Sequence, residues 1–403
     1  MNSRISNLQP YPFQRLTHLI HGLRPPSNLA PIRLSVGEPQ HAAPGFVLEA
    51  LTANLNGLSQ YPVTKGSLAL RKSIANWATR RFQLEKIELN PERHVLPVAG
   101  TREALFSIAQ TVVDRRMNAQ RPSVIMPNPF YQIYEGAALL AGAAPYFMNT
   151  TEENGYRADF AQVPEEIWQK VPLVYICSPG NPTGAVLSRE DMTRLLELAH
   201  KYNFIIASDE CYSEIYFDEA NPPVGLLQVA NDLGIKDYSR CLVFHSLSKR
   251  SNLPGLRSGF VAGDAAVLEQ YHQYRTYQGC ALPPPTQAAS QLAWSDEAHV
   301  RANRDLYRAK FEAVLPILQP VLDVKKPDAS FYLWPKTPQD DETFARELYA
   351  RENVLVLPGS YLSRETEAGN PGQNRVRLAL VPPLAECIEA AQRIRNYVES
   401  LRE

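Results

Sequence analysis

The chain has 403 residues, 44% hydrophobic and 21% charged, with 41 Lys and Arg against 42 Asp and Glu and a formal net charge of -1. That balance excludes a nucleic-acid surface carried by bulk charge and excludes an acidic tail, so any anionic ligand must be met by locally placed groups. The length calls for two domains, or for one large α/β domain with a satellite.

The polar segment from Met1 to Pro10 lacks the apolar core of a signal peptide, and no apolar stretch is long enough to cross a membrane. A cytoplasmic protein is expected, with neither membrane nor nucleic acid as a partner. Cys177, Cys211, Cys241, Cys280 and Cys387 form no C-x-x-C pair, and the three in or beside apolar runs read as small hydrophobes. The eight histidines show no metal-ligand spacing, and no metal is expected.

From about Pro91 to Asp264, short apolar runs alternate with amphipathic stretches. The runs include Val95 to Val98, Ser123 to Met126, Leu173 to Cys177, Phe204 to Ala207, Cys241 to Phe244 and Gly259 to Ala262. They do not alternate in polarity, as expected for strands buried on both faces. Between them, Ser188 to Tyr202 predicts a helix, with Ser188 and Asp191 as a capping box and Met192, Leu195, Leu196 and Ala199 on one face. Alternating strand and helix predicts a mostly parallel sheet covered by helices. Past the boundary signal Pro283-Pro284-Pro285 the pattern changes. A helical run over Thr286 to Leu318 precedes extended segments at Ser330–Trp334, Val354–Leu357 and Arg375–Leu380, and a helix from Leu384 to Leu401 closes an α+β unit.

Ligands of open parallel sheets sit at the carboxyl ends of the strands, so the residues after each run are the candidates. After Val98 come Gly100, Thr101 and Arg102, either a turn that lets backbone N–H groups approach an anion or a plain strand-to-helix turn. After Cys177, the turn Ser178-Pro-Gly-Asn181-Pro-Thr-Gly184 presents Asn181 with little freedom, or is only a tight turn. Asp209 and Tyr212 follow the next run, where an acid can serve chemistry or cap a helix. Ser246-Leu-Ser248-Lys249-Arg250 and Gly255-Leu-Arg257 follow Phe244 and read as a phosphate site or as a basic loop.

In order and spacing these stretches together resemble the class I/II aminotransferases of the aspartate-aminotransferase fold, fold type I of the pyridoxal-phosphate enzymes. The resemblance runs from Ser35-Val-Gly-Glu-Pro39 to Val376-Arg377-Leu378, nearly the whole chain. It implies an α/β fold with a large, mostly parallel mixed sheet flanked by helices and a smaller α+β domain. The expected division is an arm with part of the small domain over 1–44, a large cofactor-binding domain over 45–285 and a small C-terminal domain over 286–403.

The same resemblance implies pyridoxal 5'-phosphate, held by Lys249 as a Schiff base, with Lys249 later moving the proton at the substrate α-carbon. Asp209 would pair with the pyridinium nitrogen. Asn181 and Tyr212 would hydrogen-bond the phenolic oxygen, and Tyr131, or alternatively Phe130, would lie on the ring face. Gly100, Thr101 and Arg102 would cradle the phosphate through backbone N–H groups, with Ser246 and Arg257 adding donors. Tyr61 would reach the phosphate of the partner subunit in a homodimer. Arg377 would clamp the substrate α-carboxylate beside the backbone of Gly37, while Arg375 would point to the opposite strand face. One departure stands out: Asp328-Ala-Ser-Phe-Tyr332 has Ala329 where glycine is common in the family.

Three longer stretches, Gly37 to Pro44, Ser246 to Asp264 and Asn370 to Leu380, are similar to bacterial N-succinyl-diaminopimelate aminotransferases. That similarity implies exchange of an amino group between N-succinyl-LL-diaminopimelate and 2-oxoglutarate by a ping-pong route. The residues themselves ask only for a carboxylate-bearing amine. Competing readings are an aspartate or aromatic aminotransferase, a carbon–sulfur β-lyase using the same Lys and Asp, and a non-catalytic effector domain. For the last, the short stretch before Ser35 leaves no room for a winged-helix DNA-binding unit.

Overall fold

Seven strands form the central sheet: β1 Val95–Val98, β2 Ser123–Asn128, β3 Ala144–Asn149, β4 Leu173–Cys177, β5 Ile205–Asp209, β6 Cys241–Ser246 and β7 Gly259–Gly263. The structure, a computed structural model, describes residues 3–114 and 120–402, so Met1 and Asn2 of the polar N-terminal segment lie outside the described residues. The strand order is β1-β7-β6-β5-β4-β2-β3. Only β7 runs antiparallel to its neighbours; the pairs β2–β3, β2–β4, β4–β5 and β5–β6 are parallel. The residues of β1, β5, β6 and β7 are all buried, which accounts for their continuous apolar runs.

Register aligns the ends that matter. Cys177 pairs with Asp209, Asp209 with Phe244, and Ser246 with Gly259, which also faces Val98. Helix α1 (Thr101–Val112) starts directly after the turn at Gly100. Helix α2 (Arg189–Tyr202) has the expected capping box: Ser188 Oγ accepts from the Asp191 N–H at 3.1 Å, and Asp191 accepts from the Ser188 N–H at 2.8 Å.

The run expected as one helix over 286–318 is two, α3 (Pro284–Ser295) and α4 (Ala298–Leu318). Asp296 breaks it: its backbone is extended, and its carboxylate accepts from the His299 N–H at 3.0 Å, which caps the second helix instead of continuing the first. Ala289, Ala293 and Trp294 of α3 share a core with Val47, Ile74 and Trp77. Pro284 and Pro285 occupy the first turn of α3, where a missing N–H costs nothing. We therefore propose that the large unit extends past the triple proline to Ser295.

A second core gathers Ile32 and Leu34 with Phe311, Leu318, Val354, Leu378 and Ile394, the last on α5 (Leu384–Ser400). The segment expected as one strand over 354–357 is divided at Val356. Val354–Leu355 pairs in parallel with Ile32–Arg33, and Leu357–Pro358 pairs antiparallel with Val376–Ala379, so one short stretch serves two sheets. Val376–Ala379 pairs on its other side with Tyr332–Leu333. Among the described residues, no helix is long and apolar enough to cross a membrane.

Trp294 is fully buried, with its ring 4.8 Å from Trp77 and 5.0 Å from Phe260. Trp294→Ala should destabilise the large unit by about 3–5 kcal/mol, read as a lower urea midpoint. An unchanged midpoint would show that α3 is not part of that core.

Candidate active site

A cavity of about 560 Å³ opens where the ends of β5 and β6 and the turns after β1 and β4 meet Tyr332, Arg377 and the segment from Val36 to Glu38. Of the residues expected at a site, Gly37, Thr101, Arg102, Tyr131, Asn181, Asp209, Tyr212, Ser246, Lys249, Arg257 and Arg377 line it. Gly100 sits just behind Arg257. Tyr61 does not line this cavity and is fully exposed.

Lys249 is on a single helical turn, Leu247–Arg250, immediately after β6. Ser246 caps that turn by accepting from the Ser248 N–H at 3.0 Å. The Lys249 ammonium donates to the Gly37 carbonyl. Burial pulls its pKa down to about 8, with Arg377 and Arg102 lowering it further against the opposing influence of Cys211 and Glu38.

Asp209, at the end of β5, is buried. Its carboxylate accepts from Tyr134 Oη at 2.7 Å and from the Cys211 N–H at 3.2 Å. Burial raises its pKa, and those two donors oppose the rise. Among the described residues it makes no ion pair with any cation.

The opposite sign is stored nearby. Arg377 is buried, giving one N–H to Asn181 Oδ1 at 2.9 Å and another to the Ser35 carbonyl at 2.7 Å. Its guanidinium lies 4.6 Å over the Tyr332 ring, and its Nε has no partner. Arg257 is exposed and, among the described residues, donates to the Pro254 carbonyl at 2.8 Å. Gly100 has φ +85°, and a Cβ there would stand 2.2 Å from Arg257 Nη2, so only glycine allows the guanidinium to lie against this turn. Ser246, Ser248, Thr101 and the start of α1 face the same corner.

Buried charges are ordinarily paired within the protein. Here a buried carboxylate, the buried guanidinium of Arg377 and the exposed guanidinium of Arg257 face one cavity, and among the described residues each is held by neutral groups. A ligand carrying a phosphate, a protonated ring nitrogen and a carboxylate would complete all three, and pyridoxal phosphate with an amino-acid substrate has those groups. The donor set therefore fits that cofactor.

The adjacent aromatics separate cleanly. Tyr131 lines the cavity and accepts from Arg102 Nε at 2.7 Å, whereas Phe130 is in the core, stacked on Phe147 at 5.2 Å. Arg375 lies on the other face of its strand, bonded to Glu152 at 3.1 Å and to the Trp334 carbonyl at 3.2 Å. Ala329 does not line the cavity; its N–H bonds the Gly184 carbonyl at 3.1 Å and it is fully buried. The residue of that loop that reaches the site is Tyr332, whose hydroxyl is 2.9 Å from that of Tyr212. Tyr332, Tyr134, Cys211 and Tyr11 to Phe13 of the N-terminal arm were not anticipated from the sequence. Only Tyr332 had a signal, as the last residue of the Asp328–Tyr332 motif.

Residues 30–394 match the model of the family described as aminotransferase class I and II. An LL-diaminopimelate aminotransferase of Desulforudis audaxviator is 31% identical over 401 residues, covering 98% of this chain and 96% of its own. The crystal structure of an aminotransferase from Neisseria meningitidis superposes with a TM-score of 0.93 at 48% identity, covering 100% of both chains. A probable N-succinyldiaminopimelate aminotransferase from Thermus thermophilus superposes at 0.84 with 26% identity, over 96% of this chain and 99% of its own.

The lowered pKa makes Lys249 distinguishable from exposed lysines. Its amine is charged below about pH 8 and neutral above. In cofactor-free protein, acylation of Lys249 by a small amine-directed reagent should therefore climb with pH and level off there. At exposed Lys201, whose pKa is raised by its contact with Tyr202, the rate should keep climbing. Parallel profiles at the two sites would contradict the burial argument.

Proposed function

The chain belongs to the class I and II aminotransferase family, and within it we propose that it transfers the amino group of N-succinyl-LL-2,6-diaminopimelate to 2-oxoglutarate. Enzymes of this family use pyridoxal phosphate, which when bound supplies an electron sink for the charge that develops at the substrate α-carbon. The observation that carries the reading is the buried Arg377, which has no carboxylate of its own and faces the cavity of Lys249 and Asp209.

In this reading Arg257, Ser246, Thr101, the backbone of Gly100 and Arg102, and Ser248 hold the phosphate. Asp209 holds the proton on the ring nitrogen, and its own orientation is fixed by Tyr134. Asn181 and Tyr212 face the phenolic oxygen, and Tyr131 lies against the ring. Arg377 binds the α-carboxylate in two-point fashion and so fixes the α-hydrogen relative to Lys249. Lys249, with an amine near pKa 8, is neutral often enough to take that proton and return it. Gly37 must stay small: a Cβ there would meet Tyr332 Oη at 2.0 Å.

We also place a second copy of the chain at this site. Leu55, Leu58, Tyr61 and Val63 are all exposed, and Tyr61 is entirely so. Such a patch suits an interface, with Tyr61 reaching the phosphate of the partner subunit.

The similarity of Gly37–Pro44, Ser246–Asp264 and Asn370–Leu380 to succinyl-diaminopimelate enzymes supports the succinylated donor, as does the name of the Thermus structure. The names of the curated relatives favour a second reading, the free LL-diaminopimelate. Transaminase rates on the succinylated donor, the free LL-diaminopimelate, aspartate and phenylalanine separate them. We expect the highest kcat/KM on the succinylated donor, with at least about a tenfold margin over the others, equivalent to one charged hydrogen bond. Preference for the free amine would replace the finer assignment, and preference for aspartate would overturn both.

A further inference from the structure

Val36, Gly37 and Glu38 line one wall of the cavity, yet among the described residues the segment 35–43 makes no backbone-to-backbone hydrogen bond with any other part of the chain. At its start, Leu34 is tied to Leu355 and Ala379 by backbone bonds of 2.8 and 2.7 Å. Beyond that point its polar ties come from side chains. Arg377 donates to the Ser35 carbonyl, and Lys249 donates to the Gly37 carbonyl. The two groups that would handle substrate are thus oriented by a strap that has no secondary structure of its own.

The far end of the strap is held by His41. Its Nε2 is 2.7 Å from Lys310 Nζ and its Nδ1 is 2.8 Å from Asn303 Oδ1. Lys310 is buried, has no acidic partner among the described residues, and also donates to the Val381 carbonyl at 3.1 Å. An ammonium can only donate, so Nε2 accepts and the ring proton sits on Nδ1, from which it is donated to Asn303 Oδ1. The Asn303 amide then donates to the Lys249 carbonyl at 3.3 Å. One consistent chain of donors runs from Lys310 through His41 and Asn303 to the backbone of Lys249. The His41 ring also lies 4.5 Å from Tyr307, whose ring is stacked at 5.4 Å on Phe331. Burial, with the Lys310 charge beside it, keeps the His41 pKa below its ordinary value despite the bond to Asn303, so the ring stays neutral.

We infer that His41 is a positioning residue, the second anchor of the strap over Lys249 and Arg377, acting through Asn303 and Lys310. The kinetic half of this inference rests on the proposed roles of Lys249 and Arg377; the anchoring half does not.

The test is limited proteolysis with proteinase K, cleavage sites mapped by mass spectrometry, on His41→Ala and on the milder His41→Asn, which keeps a donor for Asn303, alongside steady-state kinetics. In His41→Ala, cleavage within 35–41 should be about tenfold faster, the effect of losing one hydrogen-bonded anchor, while β5, β6 and α4 resist as before. KM for donor and acceptor should both rise by about tenfold, since both use Arg377, with kcat changed much less. His41→Asn should recover most of each change. Unaltered cleavage within 35–41 in both variants would overturn the inference. So would faster cleavage throughout the chain with a lower melting temperature, because that marks His41 as an ordinary packing residue. If cleavage responds as expected but no transaminase activity exists in the parent protein, the strap stands and the proposed function falls.

Discussion

The constraint from which the rest of the molecule follows is a pair of charges kept out of water. Asp209 and Arg377 are buried, and among the described residues Asp209 has no cation and Arg377 only neutral acceptors. Leaving such groups unpaired opposes folding, so the fold must spend packing elsewhere to hold them. It does so with strand ends: the register of β4, β5 and β6 puts Cys177, Asp209 and Ser246 at one edge, and each is backed by an entirely buried strand or nearly so. These unpaired charges also give the cavity affinity for a ligand of mixed charge, while burial lowers the pKa of Lys249 to about 8.

Several cores support this edge. One lies under the sheet and includes α3, another covers the sheet's other face with Tyr134 and Tyr175, and a third ties the N-terminal Ile32 and Leu34 to α4 and α5. Arg377 comes from the second unit, Asn181 from the first, and a hydrogen bond joins them across the cavity. The carboxylate clamp is therefore itself a contact between the two units, and the strap from Ser35 to His41 spans the same junction. A substrate carboxylate bound to Arg377 would add to a connection that the side chains already make.

Much of the sheet and about half of the lining residues were legible in the sequence, for one physical reason. A strand buried on both faces reads as a short apolar run, and the polar residue that ends it lies at the ligand edge. Lys249, Asp209, Asn181 and Arg257 were found in that way, and Arg377 through its strand and family resemblance. Tyr134 and Tyr332 were not. Their contacts, to Asp209 and Tyr212, bridge 75 and 120 residues of chain, and an aromatic residue inside a helix or a short strand looks the same whether its hydroxyl meets a carboxylate or nothing. Phe130 and Tyr131 could not be separated either, since adjacent residues in a turn point apart only once Phe147 and Arg102 are in place. The helix break at Asp296 was hidden because its carboxylate competes for the His299 N–H, a local choice that helical periodicity does not record.

The central claim is that Lys249 carries the cofactor. Borohydride reduction of the protein purified with pyridoxal phosphate, followed by peptide mapping, tests it most directly. The account predicts a single pyridoxyl group on Lys249 Nζ and none on Lys310, the other buried lysine. A pyridoxyl group on a different lysine, or a protein that transaminates with Lys249 unmodified after reduction, would contradict it.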